Sequence, residues 1–131
     1  MNLRLGFFPN FKGIDSVLLD GSISSVEDLA STLAVFTASE DQLLPIHSLA
    51  TVAPHHPVQL FAVRSVPSAA GFNLPGFVWQ FSAGESPAIQ AKLHELARSA
   101  SGHQYFNLAG STAQLIISVG ESGESWWRTH G

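Results

Sequence analysis

The sequence predicts a single α+β domain over residues 1–131, with two helices packed on a mostly antiparallel sheet of about six or seven strands. Three observations lead there. Two segments carry apolar residues at helical spacing, several short apolar runs are bounded by Gly, Pro, Asn or Asp, and 45% of the 131 residues are apolar. A chain of this length buries about two thirds of its unfolded surface, so one core suffices without a metal or disulfide.

Leu3 to Phe8 is an apolar run closed by Pro9-Asn10, and Ile14 to Leu19 is a second closed by Asp20-Gly21. Together they read as two strands of a hairpin. Ser24-Ser-Val-Glu27 has the spacing of a capping box, in which each side chain satisfies an orphan backbone donor of the other residue. Behind it Val26, Leu29, Ala30, Leu33 and Phe36 recur at helical spacing, so the first helix runs to about Ala38. Pro45, Pro54 and Pro57 make Leu43 to Pro57 a surface connection with one short strand near Ile46 to Leu49. Val58 to Val63 resumes as a strand. Residues 65–75, with Pro67, Gly71 and Pro75, connect two halves, 1–64 and 76–131.

Gly76 to Ser82 is a strand, and Ser86-Pro87 supplies an N-cap followed by Pro at the first helical position, where its missing donor costs nothing. Ile89, Leu93, Leu96, Ala97 and Ala100 form the apolar stripe of this second helix, and Gly102 is its C′ residue. His103 to Leu108 and Ala113 to Val119 complete the strands. At an offset of about sixty residues Leu29, Leu33 and Phe36 align with Ile89, Leu93 and Leu96, the pattern of two similar strand-helix-strand halves, although apolar periodicity alone produces this much.

Only 12% of the chain is charged, about half the usual share. The net charge is −4 and the six cations are scattered, so no basic stripe exists to neutralise a phosphate backbone; no nucleic-acid partner is expected. The absence of Cys removes thiolate catalysis, Cys-based zinc sites and disulfides, and fits a reducing compartment. Met1 to Pro9 reads as a first strand rather than a secretory leader. The uncharged stretches Gln42 to Val63, Ser65 to Gly84 and Ser99 to Gly120 are each interrupted by Pro, Gly, His, Asn or Gln, which a bilayer would leave unpaired. The expectation is a cytoplasmic protein with no membrane partner.

Candidate chemistry is sparse. His55-His56, held between Pro54 and Pro57, point to opposite sides of an extended backbone and are poorly placed to chelate one ion; His47, His94 and His103 have no spacing that completes a site. His94-Glu95 opens a zincin motif that fails at Arg98. Gly84-Glu-Ser86-Pro and Gly120-Glu-Ser122-Gly miss the nucleophile elbow, and Ser86 and Ser122 read as a cap and a turn. Glu121 with Glu124, or Asp15 with Asp20, could pair as carboxylates only if the fold brought them into one cleft. No catalytic residue, metal ligand or cofactor is expected.

The tail is more informative. Adjacent Trp126 and Trp127 cannot both enter a core from an extended backbone, so one of them packs on a rim or reaches a partner, or the pair covers an open part of the sheet. Trp is enriched at interface hot spots, and acids beside it add charge selection. Glu121, Glu124, Trp126 and Trp127 are the candidate partner-binding patch.

The strand from Phe77, the loop Ser82-Ala-Gly-Glu-Ser86, the helix ending Leu93-His-Glu-Leu-Ala-Arg-Ser-Ala-Ser-Gly102, then His103-Gln-Tyr-Phe106 and Ala113 to Glu121 resemble small immunity proteins of bacterial polymorphic-toxin systems. The resemblance covers Phe77 to Trp127, and the first half departs from it by added strands and a long proline-rich connection. It implies a non-enzymatic protein that neutralises a toxin by covering its active site or substrate groove. A small hydrolase or metal-dependent enzyme built on His residues and a self-associating structural subunit are the alternatives.

Overall fold

The structure, a computed structural model, describes residues 2–64, 74–99, 101–120, 126 and 127. The connection 65–73, Ala100, Glu121 and Glu124 lie outside them. The chain folds as α+β, with helices α1 (Ile23–Ala38) and α2 (Ser86–Ser99). Among the described residues there are eight strands rather than six or seven: β1 (Leu3–Phe11), β2 (Ile14–Gly21), β3 (Leu43–Pro45), β4 (Ala50–Val52), β5 (Leu60–Arg64), β6 (Phe77–Phe81), β7 (Gly102–Asn107) and β8 (Gln114–Val119). They make two sheets instead of one, ordered β4-β1-β2-β8-β7 and β3-β5-β6. Pairing is mixed: β1–β2, β3–β5 and β7–β8 are antiparallel, whereas β1–β4, β2–β8 and β5–β6 are parallel.

The extra strand arises where one had been expected near Ile46. Leu43–Pro45 and Ala50–Val52 are strands of separate sheets, joined by a 3₁₀ turn at Ile46–Ser48. Pro45 lacks a donor and ends its strand. Ile46 is fully buried and anchors the crossing from one sheet to the other.

One face of the large sheet, here the inner face, carries Leu3, Leu5, Val17, Leu19, Leu115, Ile117 and Val119, all buried in the main core with both helices and the small sheet. The small sheet covers the part of this face that the helices leave open. Phe77 stacks on Phe7 with ring centroids 5.3 Å apart, and Trp79 meets Phe106 at 5.0 Å. Beyond β7 the Ala109 amide donates to the Val78 carbonyl at 2.8 Å, which ties the two sheets together at one corner.

Both helices begin differently from the pattern expected. Ser22, not Ser24, caps α1, accepting from the Ser25 amide at 3.2 Å. Ser25 is buried because its hydroxyl accepts the Asn2 amide at 2.8 Å, a contact made across the fold. At α2 the capping box is Ser82-Ala-Gly-Glu85: the Glu85 amide donates to Ser82 Oγ and the Ser82 amide to Glu85 Oε1, each at 3.1 Å. Ser86 is thereby released from capping. Its buried hydroxyl accepts from Gln90 Nε2 at 2.9 Å and meets Thr37 Oγ1 at 3.1 Å, which joins α2 to the last turn of α1. That last turn is also held from β5, where Arg64 Nη2 donates to the carbonyls of Phe36, at 3.0 Å, and Ser39. A guanidinium there satisfies orphan carbonyls and opposes the negative end of the helix dipole.

The capping box predicts a stability effect. Ser82→Ala and Glu85→Ala should each lower the unfolding free energy by about 1 kcal/mol in urea titration, and the double variant should lose less than the sum because the two bonds are reciprocal.

Candidate functional site

The outer face of the large sheet is where the chain has surface to offer. Strand alternation and register place Thr51, Arg4, Asp20, Ser118 and His103 in one row across it. The next row holds Gly6, Leu18, Ile116 and Tyr105. A third holds Phe8, Ser16, Gln114 and Asn107. Uncharged polar residues occupy much of this face.

The middle of the face is closed. Phe8, Leu18, Ala53, Ile116 and Trp127 form a second buried cluster, with Phe11 and Trp126 packed on its margin. Trp127 is 4% exposed, and its ring meets Phe8 edge-on at 5.8 Å. Gly6 makes room for this packing, since a Cβ there would lie 2.8 Å from a Phe8 ring carbon. Asp20 beneath is 7% exposed; its Oδ1 accepts from Ser118 Oγ at 2.7 Å and its Oδ2 from Trp127 Nε1 at 3.3 Å. A buried carboxylate without such donors would be costly. Trp126 is half-buried, with its ring 5.2 Å from that of Trp127 and nearly perpendicular to it. The two tryptophans thus occupy different environments, and Glu121 and Glu124 lie outside the described residues.

Beside the closed centre a groove of about 380 Å³ opens between the β1–β2 hairpin and β7. Leu18, Gln114, Ile116 and Ser118 form its floor, Phe11 and Trp126 one wall, and His103 and Tyr105 the other. Ile14, 46% exposed, and Tyr105, 51% exposed, are among the largest uncovered apolar surfaces of the described residues, and both line it. Lys12 stands at the hairpin end with its ammonium 5.5 Å from the Phe11 ring centroid. Lys12 and Gly13 have φ of 51° and 91°, the two positive values that a type I′ hairpin turn requires. A lysine rarely accepts this conformation, and here the tight turn imposes it.

The remaining candidate chemistry disperses. His56 lies with Nδ1 3.0 Å from the Phe7 carbonyl and its ring stacked on Phe8 at 4.2 Å, and its own carbonyl accepts the Phe7 amide. It clamps the proline loop onto β1. His47 Nδ1 accepts the Leu60 amide at 3.2 Å, while His55 and His94 are exposed. Among the described residues no group of three or more His, Cys, Asp or Glu could hold a metal ion. Asp15 accepts the Asn10 amide at 2.8 Å, and strand alternation sets it on the face opposite Asp20, so these two carboxylates do not form a pair. No described helix is long and apolar enough to cross a membrane.

Sequence reasoning placed the site at the tail and missed Phe11, Ile14 and Tyr105. The alternation His103-x-Tyr105-x-Asn107 opposite buried Phe106 carried the signal for Tyr105, once β7 was known to be a strand with one covered face. The contrast between Trp127 and Tyr105 is measurable: Trp127→Ala should cost about 3 kcal/mol of stability, and Tyr105→Ala less than about 0.5 kcal/mol, in paired denaturant titrations. Comparison of the chain with family models, curated proteins and solved structures returns no match.

Proposed function

We propose that the chain is a non-enzymatic protein-binding module whose partner docks in the outer-face groove. One observation carries the reading. The outer face is closed over most of its centre by its own tryptophan, yet beside that closure it leaves exposed Ile14 and Tyr105 around a groove whose floor mixes Leu18 and Ile116 with Gln114 and Ser118. Tyr and Trp contribute large contact area at low conformational cost, and they dominate binding where they border such floors. Trp126 is the tail residue that contributes to the groove wall.

The narrower form of this proposal follows the resemblance of the second half to immunity proteins: the partner is a toxin, its active site is occluded by the docked surface, and the complex forms in a bacterial cytoplasm. Glu121 and Glu124, close to Trp126 in the sequence, then supply acidic charge that favours a basic partner. The reading of a hydrolase or metal enzyme built on the histidines has less support, because His47 and His56 are engaged with backbone groups.

The test is affinity capture from native lysate with wild-type chain and with a Tyr105→Ala/Trp126→Ala double variant, followed by titration of the captured protein. Wild type should retain one partner stoichiometrically, and the double variant should bind it about tenfold or more weakly. Glu121→Lys/Glu124→Lys should slow association chiefly at low salt. Equal affinity of the double variant would remove the groove as the site, and no stoichiometric partner for wild type would overturn the module reading.

A further inference from the structure

Among the described residues that line the outer-face groove, one carries a permanent charge, and it is positive. Lys12 holds that place, and no carboxylate lines the groove with it. Its ammonium rests beside the Phe11 ring and forms no ion pair with any described residue. Arg64, by contrast, is engaged at the end of α1. Position 12 is also an unfavourable one for a lysine. With φ of 51° before Gly13 at 91°, it is the turn position where Asn or Asp is the ordinary choice. A long side chain held in this conformation is strained, and what the strain delivers is a cation at the groove.

The rest of the groove suits a ring. Phe11 and Trp126 on one wall and Tyr105 on the other present aromatic surface, with Leu18 and Ile116 beneath. The polar floor residues already bond within the sheet: Ser118 Oγ donates to Asp20, and Gln114 Nε2 to Ser16 Oγ. Charge recognition therefore falls to Lys12.

We infer that the partner anchors in this groove through an aromatic side chain with an Asp or Glu next to it in the partner's chain, the ring between the aromatic walls and the carboxylate on Lys12. The inference rests on the groove being the docking site and names what enters it. One ammonium matches one carboxylate. A phosphotyrosine carries nearly two charges and is read by clusters of Arg, and no Arg is among the residues lining the groove. A single anchor acid is compatible with a basic partner surface around it, the kind that acidic charge in the tail favours.

The test is titration of the full chain with three blocked tripeptides, acetyl-Glu-Phe-Glu-amide, acetyl-Gln-Phe-Gln-amide and acetyl-Lys-Phe-Lys-amide, followed by amide and indole resonances. Tyr105, Ile116 and the Trp126 indole should shift. The acidic peptide should bind about two- to fivefold more tightly than the Gln peptide, the range of one exposed ion pair, and the Lys peptide most weakly. The net charge of −4 opposes an acidic peptide over the chain as a whole, so this order reports Lys12. Lys12→Asn, which suits the turn and keeps the hairpin, should abolish the difference between the acidic and Gln peptides and leave the affinity for the Gln peptide unchanged. Equal affinity of those two peptides for wild type, or a preference that survives Lys12→Asn, would overturn the inference. So would tighter binding of acetyl-Gln-phosphotyrosine-Gln-amide than of the acidic peptide, or no shift at the groove with any peptide. These outcomes are separate from the lysate capture, whose failure removes the partner and not the ligand preference of the groove.

Discussion

The parallel contact between β2 and β8 is the constraint from which the rest of the fold follows. It joins residues as far apart as Ser16 and Gln114 and places both strands in the interior of the five-stranded sheet. Strands in that position are covered on both sides, which explains why Val17-Leu18-Leu19 and Leu115-Ile116-Ile117 are apolar without alternation and entirely buried. The inner side of these runs calls for the helices and the small sheet. The outer side calls for something else, and Trp127 supplies it. A polar row runs beside the doubly covered centre, where Asp20 and Ser118 lie opposite each other and are buried together. Their hydrogen bonding to each other and to Trp127 makes that row compatible with burial.

Closed packing and open surface are consequently separated over a short distance on one face. Phe8, Leu18, Ile116 and Trp127 fill space, and each of their rings or branches is covered by the others. Phe11, Ile14, Tyr105 and Trp126 stand one step outward and remain partly open. The hairpin helps to set this boundary. Its register shift between Phe8 and Phe11 adds a residue to β1 and turns Phe11 toward the groove, since a bulge re-aims the side chains that follow it. Polar anchors set the helices with similar economy, since Arg64 holds the end of α1 while Thr37 and Ser86 join the two helices.

Much of this was legible locally. The stripe Val26, Leu29, Ala30, Leu33 and Phe36 located α1, because a 3.6-residue period needs no knowledge of neighbours, and the same held for Leu93 and Leu96 in α2. The caps were less legible. Ser24 had the capping-box spacing, yet Ser22 is the cap and Ser25 turns inward to the distant Asn2 amide. At α2 the Ser86-Pro87 signal concealed the better box from Ser82 to Glu85. Strand existence was readable, but strand partners were not: an apolar run looks alike whether its neighbour is parallel or antiparallel, and the two sheets separate at a turn of only three residues. The outer-face groove was hidden for the same reason, since Phe11, Tyr105 and Trp126 come together only when β2 and β8 have paired. The tail drew notice through its tryptophans, while the carboxylate that receives one of them, Asp20, had read as a turn residue.

The separation of 98 residues between Asp20 and Ser118 also has a meaning in time. On a ribosome adding about 5 to 20 residues each second, β8 is made roughly 5 to 20 s after β2. Throughout that interval the first hairpin has one side of β2 without its neighbour, and Val17-Leu18-Leu19 has no central position to occupy. The nascent chain therefore presents an adhesive strand long before its complement exists. That side of the hairpin stays open to wrong pairing until the last strand arrives.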